Sequence, residues 1–311
     1  MEASPSREPV MIRFLAFLFV LTGASAASAE TIAIGGTTRH YTARLPDTKP
    51  APLVIVLHGN TQTGADMITR TAWPAVAKRE GFGVVFPDGL NHSWADLRPN
   101  NLRAGRVPPH GTDDVAFIAK LVEKFVADGS ADAKRIYVTG ISNGGAMTMT
   151  LICKRAELFT AAASVVINLT DQSANLCHPA RPIPMLMMNG TADPLVPYKG
   201  GRGTSRFAVD GFWSVEKTLV FWRKINGCEA MDGAVAELDD ADRADRSTVT
   251  RVDSRCPAGH DVVLYRVNDG GHRMPGAADA RFPRLANAFL GPQNHDIDGA
   301  ETIWAFFKKF P

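Results

Sequence analysis

The sequence predicts an α/β fold in which one doubly wound, mostly parallel sheet is entered through an N-terminal antiparallel hairpin. Three observations predict it. Short β-branched and apolar runs alternate with amphipathic helical stretches along the 311 residues, the pattern of a sheet covered by helices on both faces. The run Leu53-Val54-Ile55-Val56-Leu57 is apolar throughout, as a strand buried on both faces requires. Several such runs end in Gly- or Asn-rich loops, and open α/β sheets gather their active groups beyond the carboxyl ends of the strands.

The elements follow in order. Thr31 to Leu45, broken at Gly35-Gly36, reads as the hairpin of half-buried strands. After the strand at Leu53 comes a helical pattern over Thr63 to Arg79, and then a strand over Gly83 to Phe86. Asp113-Asp114 opens a helix with Val115, Ile118, Val122 and Phe125 on one face. Acidic residues in a first turn suit the helix dipole, so this Asp pair is read as capping and not as chemistry. Arg135 to Thr139 is a short strand, and Ala146 to Ile152 gives the first turns of a buried helix. Ala161 to Val166 is a further strand, Met185 to Met188 another apolar run, and Ser214 to Ile225 a helix. Glu237 to Arg251, rich in Asp and Arg, reads as a solvated insertion, and Asp261 to Val267 as a strand. The last helix, Glu301 to Lys309, is capped by Asp298 with Glu301 three residues on. Its Ile303, Phe306, Phe307 and Phe310 form an apolar stripe that packs on the sheet.

The chemistry is carried by Gly140-Ile141-Ser142-Asn143-Gly144, a G-x-S-x-G sequence between a strand and a helix. A strand that turns sharply into a helix strains the middle residue and projects its hydroxyl, and flanking glycines leave room for the turn. Ser142 is therefore the candidate nucleophile. Asp193, in the loop after Met185-Leu186-Met187-Met188-Asn189-Gly190, is the candidate acid. His272 follows a strand and the pair Gly270-Gly271, and is the candidate base. The order Ser, acid, His is that of the α/β-hydrolase fold. Asp269 and Asp261 are the competing acids, and the other seven histidines lie in less suggestive contexts. One oxyanion donor is the backbone N–H of Asn143, the residue after the nucleophile. The other is assigned to Asn60, in the loop His58-Gly59-Asn60-Thr61 after the apolar strand. His58 is read as structural. Trp94 is a weaker candidate for lining the substrate cleft, with packing as its alternative.

With these stretches in view, the chain resembles the secreted esterases grouped with poly(3-hydroxybutyrate) depolymerases and feruloyl or acetyl-xylan esterases. The resemblance rests on Leu57 to Thr63, Phe86-Pro87-Asp88-Gly89, Gly140 to Gly145, Asn189 to Asp193, Phe221 to Cys228 and Gly270-Gly271-His272. It implies an α/β-hydrolase fold and an ester substrate, small or oligomeric. It also implies Ser142 as nucleophile, Asp193 as acid, His272 as base, and backbone donors at Asn60 and Asn143. Two departures stand out: Asn60 where the family often carries Cys, and Arg273-Met274 where Thr-Trp is common. The first is expected to matter little, because the position works through its backbone. The second removes an aromatic beside the candidate base and leaves substrate choice open between short hydroxyacyl esters and acyl esters of plant polysaccharide.

The N-terminus suggests where the protein works. Arg13, the apolar run Phe14 to Leu21 and the site Ala27-Ser28-Ala29 form a basic flank, a short apolar core and a small-residue cleavage signal. Residues 1–29 therefore read as a secretory signal peptide, with Met11 as a possible start and an uncleaved anchor as the alternative. Residues 30–311 read as one catalytic domain, secreted or periplasmic. The core is too short to span a membrane. Cys153, Cys177, Cys228 and Cys256 all lie in the exported part. Four cysteines allow three pairings, of which Cys153–Cys177 with Cys228–Cys256 is the most local. Their spacing does not suit a metal site.

The net charge is +2, and the segment removed carries Glu2, Glu8, Arg7 and Arg13, which cancel. That gives no concentrated basic face for nucleic acid. The reaction calls for neither metal nor organic cofactor. Two other classes share the scaffold: a serine peptidase and a non-catalytic binding protein.

Overall fold

The computed structural model describes Met1 and residues 29–98, 106–204, 211–278 and 282–311. The segment read as a signal peptide lies outside the described residues apart from Met1 and Ala29. A ten-stranded sheet forms the centre, in the order β1-β2-β4-β3-β5-β6-β7-β10-β9-β8. Its N-terminal edge is the expected hairpin, β1 (Glu30–Ile34) and β2 (Thr37–Arg44), which turns at Gly35-Gly36 and pairs antiparallel with β4 (Gly83–Pro87). Inside it, β4, β3 (Ala51–Leu57), β5 (Ala131–Ile141), β6 (Ala161–Val165), β7 (Met185–Gly190) and β10 (Val262–Asn268) run parallel. Of these, β3 carries the run read as apolar on both faces. Along β3, Leu53, Ile55 and Leu57 enter one core while Val54 and Val56 enter the other, following the two-residue period of a strand.

Helices cover both faces. The first core packs under α3 (Asp114–Ala127), α4 (Asn143–Arg155) and α6 (Val215–Asn226). The second packs under α1 (Gly64–Arg70), α2 (Trp73–Glu80) and α8 (Gly299–Phe307), where Phe82 stacks on Trp304 and Tyr137 on Phe307. Two further helices, α5 (Asp171–Asn175) and α7 (Pro283–Leu290), sit in loops. Cys153 is joined to Cys177 and Cys228 to Cys256. The first bridge pins the end of α4 and the second ties the exit of α6 to the exit of β9 (Thr248–Ser254).

Three expectations need correction. The stretch Thr63 to Arg79 is two helices, because Thr71 is extended (φ −127°, ψ 159°) and Pro74 starts a new helix within its first turn. Glu237 to Arg251 is a solvated insertion only in its middle, where residues 239–241, 243, 244 and 246 are exposed. Its ends belong to an antiparallel edge hairpin, β8 (Asp232–Glu237) with β9, and Val249, Thr250 and Val252 are buried. Charge density hid the apolar residues of β9, of which Val249 enters one core and Val252 the other. The Asp-rich turn is held too: the Asp245 carboxylate accepts from the N–H groups of Ser247 and His295 at 2.7 Å each. Finally, only Asp113 of the Asp pair caps α3, accepting from the Ala116 N–H at 2.8 Å. Asp114 is buried in an ion pair with Arg39 and accepts the Ala95 N–H at 2.7 Å.

Candidate active site

Strand β5 delivers Ser142 into the turn before α4. Its backbone has φ 55° and ψ −117°, a conformation that L residues rarely hold. The Ser142 N–H donates to the Val165 carbonyl at 2.8 Å, anchoring the strained residue to β6. Glycine is needed on both sides for a measurable reason. A Cβ on Gly140 would lie 2.4 Å from the Gly144 carbonyl, and one on Gly144 would lie 2.4 Å from the Leu57 carbonyl oxygen. Strand, turn and helix can therefore approach β3 only with bare backbone.

Asp193 and His272 come from neighbouring strands, β7 and β10, which pair in parallel. One Asp193 oxygen accepts the N–H groups of Leu195 (2.8 Å) and Val196 (2.9 Å), which orients the carboxylate. The other lies 2.7 Å from His272 Nδ1, and His272 Nε2 lies 2.8 Å from Ser142 Oγ. With Nδ1–H donating to the carboxylate, Nε2 is left to accept the serine proton. Asp193 and His272 are 6% and 8% exposed, so the relay is nearly shut from water except on the serine side. The loops touch backbone to backbone: a Cβ on Gly190 would sit 2.2 Å from the Gly270 oxygen, and one on Gly271 2.2 Å from the Leu290 oxygen. The competing acids are elsewhere. Asp269 is exposed with its N–H on Thr191 Oγ1, and Asp261 precedes β10 at the strand's opposite end.

The sequence assigns backbone donors to Asn60 and Asn143. Among the described residues, no hydrogen bond engages the N–H of Asn60 or of Asn143. The Asn60 side chain, expected to matter little, is a clamp. Its Oδ1 accepts the Arg106 N–H at 2.9 Å, and its Nδ2 donates to the Arg106 carbonyl at 2.6 Å and to Ser93 Oγ at 2.9 Å. The buried Asn143 side chain holds the loop after β4. It accepts the Trp94 N–H at 2.8 Å and donates to the Asp96 carboxylate at 2.7 Å. Asp96 in turn pairs in fork geometry with Arg98. Ser93, Asp96 and Arg98 were not singled out in the sequence. Their position just past the carboxyl end of a parallel strand is the signal that could have found them.

Trp94 does not line a cleft. It is fully buried, its Nε1–H donates to the His58 carbonyl at 2.9 Å, and its ring lies 4.8 Å from the His58 ring. Met274 also turns into the core, against the position a Cβ on Gly299 would take, so it presents no apolar wall to a substrate. Among the described residues, no His, Cys, Asp or Glu cluster could hold a metal ion, and no helix is long and apolar enough to cross a membrane.

Residues 41–175 match the family described as Esterase PHB depolymerase. Over that span the chain is similar to polyhydroxybutyrate depolymerases, and curated relatives include feruloyl esterases. Feruloyl esterase B of Piromyces equi is 28% identical over 72% of this chain and 40% of its own length. Poly(3-hydroxyalkanoate) depolymerase C of Paucimonas lemoignei is 32% identical over 37% of this chain and 27% of its own length. The chain thus spans less than half of either relative. The solved acetyl xylan esterase from Aspergillus awamori superposes with a TM-score of 0.55 at 15% identity, covering 84% of this chain and 98% of the other, and shows the same fold. The α/β-hydrolase architecture matches the sequence expectation, with a second antiparallel pair added at the far edge.

Proposed function

We propose that this esterase hydrolyses short-chain hydroxyacyl esters and their small oligomers through Ser142, His272 and Asp193. The observation that carries the reading is the continuous relay from Ser142 Oγ through His272 to Asp193, at 2.8 and 2.7 Å, on a strained strand-to-helix turn. His272 Nε2 takes the serine proton as Oγ attacks the ester carbonyl. Asp193 holds the imidazole in the required tautomer and stabilises the charge it gains. The N–H groups of Asn60 and Asn143 receive the oxyanion. His272 then protonates the departing alcohol, and water activated by the same nitrogen releases the acid from the acyl-enzyme.

Two observations bear on the acyl group. A planar feruloyl group gains from stacking on aromatic side chains. At positions 273 and 274 the chain offers Arg and a core-facing Met. Small flexible acyl chains lose nothing there. Esters of plant polysaccharide are the second reading, favoured by the relative named feruloyl esterase B.

The test is a comparison of kcat/KM on a p-nitrophenyl ester, a peptide anilide, a soluble 3-hydroxybutyrate trimer ester and methyl ferulate, beside clearing of crystalline polyhydroxybutyrate. The expected order places the p-nitrophenyl and trimer esters first and methyl ferulate behind them, with slow clearing and no anilide cleavage. Methyl ferulate as the best substrate would transfer the assignment to the second reading. Anilide cleavage at ester-like rates would make the protein a peptidase.

Export follows from the proposed signal peptide at residues 1–29, which leaves residues 30–311 as one catalytic domain. Both cystines, Cys153–Cys177 and Cys228–Cys256, suit an oxidising compartment. Material collected from the exported fraction is expected to start near Glu30 and to show no thiol on titration after unfolding. Four titratable thiols in that fraction would overturn the assignment of compartment.

A further inference from the structure

We propose that Ser93 is a positioning residue of the oxyanion side, tying together the two backbone segments that supply its donors. The inference rests on the assignment of the Asn60 and Asn143 N–H groups as those donors. Ser93 is 1% exposed and sits just past β4, away from the reacting serine in sequence. Its Oγ accepts from Asn60 Nδ2 at 2.9 Å and donates to Asn143 Oδ1 at 3.3 Å. A hydroxyl has one proton, so accepting from one amide and donating to the other fixes the direction of the chain. Asn60, Ser93 and Asn143 then form one line of hydrogen bonds beneath the two free N–H groups.

The geometry separates this tie from general fold support. Asn60 keeps its two bonds to the Arg106 backbone without Ser93, and Asn143 keeps Trp94 and Asp96. The loops themselves are also stitched by the Thr61 N–H on the His92 carbonyl at 2.9 Å. Removing the hydroxyl therefore leaves every segment attached. What it removes is the direct link between the loop after β3 and the N-terminus of α4. Oxyanion donors act only when aimed at the position the oxygen takes in the transition state, so a small relative shift of those segments is felt in the rate.

The experiment compares wild type, Ser93→Ala, Ser93→Thr and Asn60→Ala on p-nitrophenyl acetate and on its thiono analogue, in which sulfur replaces the carbonyl oxygen. A thiocarbonyl sulfur is a larger, weaker acceptor, so the oxo-to-thiono rate ratio reads the oxyanion site directly. Ser93→Ala is expected to lower kcat by about tenfold, a fraction of the 10²–10³ that deleting a donor costs. KM, the midpoint of the pH–rate profile and the thermal unfolding transition stay in place. The oxo-to-thiono ratio falls with kcat, Asn60→Ala lowers it too, and Ser93→Thr restores much of it. A wild-type ratio near unity would remove the oxyanion assignment and the proposal with it. A large wild-type ratio unchanged in Ser93→Ala and in Asn60→Ala would leave that assignment standing and overturn the role of Ser93.

Discussion

Two buried histidines, His58 and His272, stand at the carboxyl ends of parallel strands, each beside glycine, yet the structure uses them differently. His58 is fully buried after β3, and both ring nitrogens meet backbone. Nε2 accepts the Gly89 N–H at 2.9 Å, so the proton sits on Nδ1 and is donated to the Gly59 carbonyl at 2.8 Å. Burial pushes its pKa below the usual 6.5, which keeps the ring neutral. His272 is 8% exposed after β10 and its ring nitrogens meet only side chains, a carboxylate on one and a hydroxyl on the other. Backbone partners cannot change protonation, so a ring held by them is a fixed post. A ring between a carboxylate and a hydroxyl has a path for a proton and a charge to stabilise it. The partners, more than burial or strand position, separate the proposed catalytic histidine from a structural one.

The largest test removes the hydroxyl. Ser142→Ala is expected to cost on the order of 10⁶-fold in kcat with the fold unchanged by circular dichroism. Activity within tenfold of wild type would show that His272 has another partner. Next comes Asp193→Asn, expected to cost on the order of 10⁴-fold because an amide favours the wrong imidazole tautomer. Asp269→Asn serves as its control: that residue is exposed and should leave kcat close to wild type. If Asp269→Asn does the damage and Asp193→Asn does not, the acid has been misassigned.

The same contrast explains how much was legible in the sequence. Ser142, Asp193 and His272 could be named because each contributes a side chain of fixed chemistry at the end of a readable apolar run. The elbow could be read from Gly140 and Gly144, since only bare backbone fits within 2.4 Å of a carbonyl. Trp94 could be placed after β4 but not oriented, because burial against His58 depends on contacts between distant strands. Asn60 was read as backbone alone, and its side-chain clamp on Arg106 was missed for the same reason. Asp114 looked like half of a capping pair; its burial comes from Arg39 on β2, far away in sequence. The β8–β9 hairpin escaped because charged residues surround its few buried ones, Val249, Thr250 and Val252. Local pattern carries the sheet centre, while edges and buried polar pairs are set by tertiary partners.

The smallest effect is on pH dependence, and it isolates His58. Its folded pKa lies below 6.5, while in the unfolded chain it returns to about 6.5. Between those two values the unfolded state binds more protons, so stability rises with pH there and is lost as pH falls below 6.5. The slope from one such group is at most about 1.4 kcal/mol per pH unit. His58→Gln keeps an amide oxygen that can accept the Gly89 N–H but does not titrate. Urea unfolding from pH 8 to pH 5 is expected to show a shallower acid loss for His58→Gln than for wild type. The variant starts from lower stability at pH 8, because an imperfectly filled site loses packing against Trp94. Its hydrolysis is expected to keep the wild-type pH midpoint, since the proposed proton transfer runs through His272. An unchanged acid slope would mean that other groups carry the acid sensitivity. Loss of hydrolysis as deep as in Ser142→Ala would mean that His58 is more than a post, and the contrast between the two rings would have to be redrawn.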